Sequence, residues 1–302
     1  MERIEPSNSV KMPAMNFGVY WITDPTECEA AVLSAWRGID TAASYLNERA
    51  VGRAVARSGI PCSELFISTK LWVQDTSEAG AERAIRRSLE LLRTDTIDLY
   101  LIHQPYGDIY GAWRTMERFY EAGDLRAIGV SNFQPDRITD FALHQRIRPT
   151  VNQIEVNPFC QQREADAVNR VLGVMPSAWA PFAEGRDGLL ENPVLREIAA
   201  DRGATVAQVA LAWLAERGII SISKTVSPAR MAENLAASNV KLTPEDMAKI
   251  ATLDTGTSRF FSHPEFADLF YAYGVLDSGR FIGESSHLVG LGSNQASFYL
   301  RA

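Results

Sequence analysis

The chain has 302 residues, 46% of them apolar and 22% charged, a composition that can bury a sizeable core. Its 30 basic and 37 acidic residues leave a formal charge of −7. That balance argues against nucleic acid as a partner, since binding a polyanion rests first on clustered positive charge, although a local basic pocket for a small phosphate ligand stays compatible with it.

The chain opens on MERIEPSNSVKMP, with charges and proline where a signal peptide needs an apolar run. Residues 3–14, RIEPSNSVKMPA, read as a short hairpin turning at Ser7-Asn8-Ser9. From there, short β-rich runs alternate with longer amphipathic segments. The strand-like runs are FGVYWI (17–22), GIDTA (38–42), LFISTK (65–70) and IDLYLIH (97–103). LRAIGVS (125–131), TVNQIEV (150–156), VMPSAWA (174–180) and IISIS (219–223) follow. Among the intervening helices, residues 77–93 carry Ala81, Ile85, Leu89 and Leu92 at three- and four-residue steps. A second helix over residues 205–218 has Thr205 as its N-cap and Gly218 as its stop.

Strands separated by helices predict parallel pairing, because each crossover needs a dozen or more residues. The count of eight strands and the chain length predict a (β/α)8 TIM barrel, with an open doubly wound sheet as the alternative. The hairpin then sits at the barrel bottom. No Pro/Gly/Ser-rich linker divides the chain, so residues 1–302 read as a single domain. The Gly/Ser-rich segment from about Gly274 has no clear period and belongs to a C-terminal extension over 266–302. No stretch approaches the ~20 apolar residues needed to cross a bilayer. Cys28, Cys62 and Cys160, odd in number and without CxxC spacing, read as reduced thiols of a cytoplasmic protein. His144, His263 and His287 lack metal-ligand spacing, so no metal is expected.

In a barrel of this kind chemistry gathers at the C-terminal ends of the strands. The second strand ends in Asp40, with Tyr45 five positions on; the third ends in Lys70 and the fourth in His103. The fifth ends in Ser131-Asn132, the sixth in Gln153 and the seventh in Trp179. A phenol is a poor acid at neutral pH, with a free pKa near ~10, and a close ammonium favours its phenolate. Lys70 is that ammonium, Asp40 holds it charged, and His103 adds a donor toward a carbonyl oxygen. Such a site polarises an aldehyde or ketone and protonates the alkoxide that forms. It lacks a nucleophile, so an external hydride donor is required. A Schiff-base role for Lys70 is the alternative chemistry.

The segments GIDTAASYLNE (38–48), ISTKLW (67–72), LYLIHQP (99–105), IGVSNF (128–133) and VNQIEVNP (151–158) resemble, in order, the signatures of the aldo-keto reductases. SKTVSPARMAEN (223–234) resembles that family's cofactor clamp, and the resemblance runs from about residue 10 to 265. It implies a reductase of carbonyl compounds that uses NADP(H), with Tyr45 as general acid, Asp40 and Lys70 tuning it, and His103 orienting the carbonyl. It also implies that Ser131, Asn132 and Gln153 hydrogen-bond the nicotinamide carboxamide and that Trp179 stacks on the ring. Lys224, Thr225 and Arg230 correspond to the residues that grip the 2′-phosphate, with Glu233 and Asn234 near the adenine. Gly18, Val19 and Tyr20, then Ala180, Pro181 and Phe182, and finally Val226 complete the implied cofactor contacts. Tyr20, Trp72 and Gln104 are the implied substrate walls beside Tyr45 and His103. The absence of GxGxxG agrees with a cofactor bound across a barrel mouth rather than on a doubly wound domain.

Gln104 stands where many members carry Trp, Ser223 replaces the usual Pro before Lys224, and the stretch after His103 is short. These features resemble the compact bacterial branch of 2,5-diketo-gluconate reductases. The tail beyond about residue 266 does not match the family's usual ending. A small-molecule carbonyl substrate and a monomeric state are expected. A non-catalytic NADP-binding regulator on the same fold is the alternative function.

Overall fold

A computed structural model describes residues 3–4, 10–35 and 37–260, apart from the side chains of Arg3, Ile4 and Cys62. Eight parallel strands close on themselves: β3 (Met15–Gly18), β4 (Gly38–Asp40), β5 (Phe66–Leu71), β6 (Leu99–Ile102), β7 (Ile128–Ser131), β8 (Val151–Glu155), β9 (Met175–Trp179) and β10 (Ile220–Ser223). Each pairs with its neighbour in sequence, and β10 returns to β3 through Ser221↔Met15 and Ser223↔Phe17. The helices between them are α1 (Pro25–Ser34), α2 (Glu48–Arg57), α3 (Glu78–Leu92), α4 (Ile109–Ala122), α5 (Pro135–His144) and α6 (Arg163–Val171). α7 (Pro193–Asp201) and α8 (Val206–Glu216) both precede β10, and α9 (Pro228–Leu235) and α10 (Pro244–Ala251) follow it. This is the expected (β/α)8 barrel. No helix among the described residues is long and apolar enough to cross a membrane.

The short strands β1 (Arg3–Ile4) and β2 (Met12–Pro13) pair antiparallel, Arg3 with Pro13 and Ile4 with Met12. Met12 packs with Phe66, Leu99, Val151 and Ile220 at the N-terminal ends of the barrel strands, so this pair lies at the bottom, away from the chemistry. The expected turn at Ser7-Asn8-Ser9 and the tail over 266–302 lie outside the described residues.

Seven strands fall within a residue of the runs read from sequence, but the first is displaced, from 17–22 to Met15–Gly18. After Gly18 the Val19 amide still donates to the Asp40 carbonyl at 3.1 Å; the Ile22 amide then turns back to the Val19 carbonyl at 3.2 Å. Trp21 adopts a left-handed φ of 59°, which no strand accommodates. The apolar character of YWI therefore serves a turn on the upper rim, not a longer strand.

The helices start where their caps dictate. Thr205 Oγ1 accepts from the Gln208 amide at 3.2 Å and Gln208 Oε1 accepts from the Thr205 amide at 3.0 Å, a reciprocal capping box that opens α8. Ser77 caps α3 by accepting from the Gly80 amide at 3.0 Å. α2 and α3 approach closely because Gly52 has no side chain: a Cβ there would lie 2.2 Å from the Leu91 carbonyl oxygen. Replacing Gly52 with Ala is expected to lower stability by about 1–3 kcal/mol through overpacking, measured as a reduced midpoint in urea unfolding.

Candidate active site

The upper ends of the strands bring four predicted residues together. Asp40 closes β4 and Lys70 lies in β5, while the register β4–β5 pairs Asp40 with Ser68. Lys70, fully buried, donates through Nζ to Asp40 Oδ1 at 2.5 Å, to the Thr41 carbonyl at 2.8 Å and to Tyr45 Oη at 3.4 Å. An ammonium has three protons to give, and these three acceptors use them all. Asp40 Oδ2 in turn accepts from Ser68 Oγ at 2.7 Å and from Gln153 Nε2 at 3.0 Å. Tyr45 sits in a 3-10 turn over Ala43–Tyr45, with its ring centroid 5.8 Å from that of His103 in an edge-on arrangement. His103 Nδ1 lies 3.3 Å from Ser44 Oγ, one residue before Tyr45.

The electrostatics differ from the sequence expectation at one point. Burial and the Asp40 carboxylate push the Tyr45 phenol well above its usual value, rather than toward neutrality. Burial is the larger cause; with Asp40 at 2.5 Å from Lys70, the carboxylate also offsets the positive field that the phenol would otherwise feel. Tyr45 therefore holds its proton at neutral pH, and Lys70 at 3.4 Å is positioned to meet the charge left behind once that proton departs. Burial lowers Lys70, with Asp40 and Glu48 acting against it. Burial, joined by the Lys70 charge, holds His103 well below its usual value, so its imidazole is neutral.

A second group lies beside the tetrad, on β7, β8 and β9. Asn132, at a left-handed φ of 63°, donates from Nδ2 to the His103 carbonyl at 3.0 Å and to Ser131 Oγ at 3.1 Å. Its Oδ1 accepts from Trp179 Nε1 at 3.0 Å, and Ser131 Oγ donates to the Gln153 carbonyl at 2.8 Å. Ser131, Asn132, Gln153 and Trp179 thus form one linked wall, continuous with Asp40 through the Gln153 amide. Ala180 follows at φ 48°, and Pro181 is buried behind it; Phe182 packs on the main core. Gly18 ends the first barrel strand, with the buried Val19 and the exposed Tyr20 after it. Trp72 and Gln104 are buried at the mouth, and the Trp72 ring lies edge-on to His103 at 5.0 Å.

Lys224, Thr225 and Val226 follow β10, and Arg230 lies in the first turn of α9, whose N-cap is Ser227. Lys224 and Arg230 are exposed, and among the described residues neither forms an ion pair with a carboxylate. Two unpaired cations near a helix N-terminus suit a phosphate monoester, so this donor set fits the 2′-phosphate of NADP(H). Glu233 and Asn234, the two predicted adenine neighbours, also bond within the chain. Glu233 Oε1 accepts from Thr205 Oγ1 at 2.6 Å, and the buried Asn234 donates to Ser223 Oγ at 3.4 Å, tying α9 to α8 and β10.

Sequence reasoning missed Ser44, Ser68 and a cluster that closes one side of the mouth. Buried Glu155, at the end of β8, accepts from Ser258 Oγ, from the Arg259 amide at 2.9 Å and from Asn157 Nδ2 at 3.1 Å. Burial raises its carboxyl above the usual range. Arg259 pairs with Asp187 at 2.8 Å, the Phe260 ring lies 5.2 Å from that of Trp179, and Arg186 sits 4.2 Å over Phe260. The signal was present in Glu155 ending a strand two residues after Gln153 on the same face. Two of its three partners, Ser258 and Arg259, lie 103 and 104 residues away, beyond the reach of local pattern. Cys28 and Cys160 are buried thiols, pushed up by burial to about 11 and about 12, which removes them from nucleophilic chemistry. No metal-ligating cluster occurs among the described residues; His263 and His287 lie outside them.

Comparison with known proteins places this arrangement. A family model described as "Aldo/keto reductase family" matches residues 28–255. The chain is 38% identical to a glyoxal reductase of Bacillus subtilis over 258 residues, 84% of this chain and 93% of the relative. Among solved structures, an aldo/keto reductase from Brucella melitensis superposes with a TM-score of 0.80 at 35% identity, over 84% of this chain and 99% of that one. An aldo-keto reductase of Bombyx mori in complex with NADP superposes at 0.81 with 30% identity, over 86% and 95%.

The buried pair is the most exposed point of this design to mutation. Asp40→Asn leaves the Lys70 ammonium inside the barrel without its counter-charge and is expected to cost about 3–5 kcal/mol, read from denaturant unfolding.

Proposed function

The chain belongs to the aldo/keto reductase family, and on that premise we propose that Asp40, Tyr45, Lys70 and His103 are its catalytic residues. The protein is an NADP(H)-dependent oxidoreductase that interconverts aldehydes or ketones and alcohols. The observation that carries the residue assignment is the single Nζ of Lys70 touching both Asp40 Oδ1 at 2.5 Å and Tyr45 Oη at 3.4 Å.

When bound, NADPH supplies the hydride that the carbonyl carbon receives. Tyr45 Oη gives its proton to the carbonyl oxygen as negative charge grows there; an alcohol is a far weaker acid than a phenol, so the transfer runs downhill. Lys70 takes up the charge left on Tyr45, and the pair with Asp40 keeps the cation oriented while it does so. In the neutral tautomer that accepts from Ser44 Oγ at Nδ1, His103 carries its proton on Nε2 and donates to the same carbonyl oxygen. All three protons of Lys70 are engaged, which supports this role over a Schiff base.

Ser131, Asn132 and Gln153 are proposed to hold the nicotinamide carboxamide, and Trp179 to stack on the ring. Gly18, Val19, Tyr20, Ala180, Pro181, Phe182 and Val226 are proposed to line the rest of the cofactor's course. Lys224, Thr225 and Arg230 are proposed to grip the 2′-phosphate, and Glu233 and Asn234 to support the adenine end. Tyr20, Trp72 and Gln104 are the proposed pocket walls. One chain supplies the whole tetrad, so a monomer is the proposed working form, as a single domain over residues 1–302 in the cytoplasm. No observation favours the non-catalytic alternative.

Tyr45→Phe removes the acid while keeping the ring and is expected to lower aldehyde reduction by at least ~10²-fold in kcat/KM, followed as NADPH oxidation. A loss within a few-fold would exclude Tyr45 as the acid. Arg230→Met is expected to weaken NADPH binding about tenfold or more and NADH binding little, by titration of cofactor fluorescence. Equal weakening of both would mean that Arg230 grips no 2′-phosphate.

A further inference from the structure

Five aromatic rings form an unbroken arc from the floor of the mouth to its rim. Trp72 meets His103 at 5.0 Å, His103 meets Tyr45 at 5.8 Å, Tyr45 meets Tyr20 at 5.0 Å and Tyr20 meets Trp21 at 6.0 Å. Exposure rises along the same arc, from 6% at Trp72 and 9% at His103 to 39% at Tyr20 and 55% at Trp21. The inner three rings gather around the proposed acid and its histidine neighbour, whereas the outer two stand exposed beyond Tyr45.

Trp21 is unusual twice over. It is a large apolar side chain left more than half exposed, and its backbone is held at φ 59°, a region that disfavours bulky residues. Strain of this kind persists where surrounding structure over-determines it, and it collects at binding sites. Here the Asn47 side chain over-determines it, donating from Nδ2 to the Val19 carbonyl at 2.9 Å and to the Ile22 carbonyl at 3.3 Å, the two ends of the turn. The turn is thus fixed from below with its tryptophan on the rim.

We propose that Trp21 is a specificity-determining residue which, with Tyr20, covers the flat apolar body of an aryl or fused-ring aldehyde or ketone. This rests on the reading of Tyr45 as the acid. A carbonyl oxygen placed between Tyr45 and His103 leaves a two- or three-carbon substrate in contact with the inner rings alone. A body two rings wide reaches Tyr20 and Trp21, and offset or edge-on stacking there adds to its burial. No charged side chain belongs to the arc, so it offers nothing to a sugar acid or a phosphate ester.

The test compares naphthaldehyde with methylglyoxal on the full-length chain with NADPH, for the parent, Trp21→Ala and Trp21→Phe. Trp21→Ala is expected to lower kcat/KM for naphthaldehyde about tenfold, mainly through KM, and to leave methylglyoxal within about twofold. Trp21→Phe, which keeps an aromatic face, should restore most of the loss. Equal losses on both aldehydes, or NADPH binding weakened by the same factor, would overturn the proposal, because Trp21 would then serve the fold or the cofactor. A parent protein that reduces neither aldehyde would instead remove the reading of the site on which the proposal stands.

Discussion

A lysine with no exposed surface has to be paired, and the rest of the site follows from how this chain meets that requirement. Lys70 enters the barrel on β5 and is met by Asp40 from β4 and by the Thr41 carbonyl. Asp40 is then itself braced by Ser68 and, from across the barrel, by Gln153. Through Gln153 the network continues to Ser131, Asn132 and Trp179. One buried charge pair therefore couples the proton-transfer group to the wall proposed to carry the nicotinamide. The coupling is geometric: moving Asp40 would move both.

The same pair explains why the cation does not acidify Tyr45 in advance. A free ammonium beside a phenol would lower it; an ammonium already neutralised by a carboxylate leaves burial to dominate, and Tyr45 is raised. The arrangement keeps the proton on Tyr45 until a stronger base appears at the carbonyl oxygen. His103, kept neutral by burial and by Lys70, can then donate a hydrogen bond without competing as an acid.

Much of this was legible in the chain because a barrel turns sequence order into spatial order. Asp40, His103, Ser131 and Trp179 each end or follow a strand, Lys70 and Gln153 lie inside theirs, and the closed sheet brings all six together. Local periodicity was enough to place seven strands, and residue type enough to place the cap at Thr205. It failed at Tyr20 and Trp21, where apolar character signals a rim instead of a core. Contacts between distant segments, such as Glu155 with Ser258 and Arg259, leave no periodic trace.

That last cluster bears on where the folding unit ends. The last helix among the described residues closes at Ala251, and a boundary drawn soon after it would look natural on secondary structure alone. Glu155 shows otherwise: its carboxylate is buried in the barrel wall, and two of its three donors come from Ser258 and Arg259. A fragment cut at Thr255 would leave those lone pairs facing apolar surroundings and would strip Phe260 from the face of Trp179. The minimal self-sufficient piece of this chain therefore extends at least through Phe260.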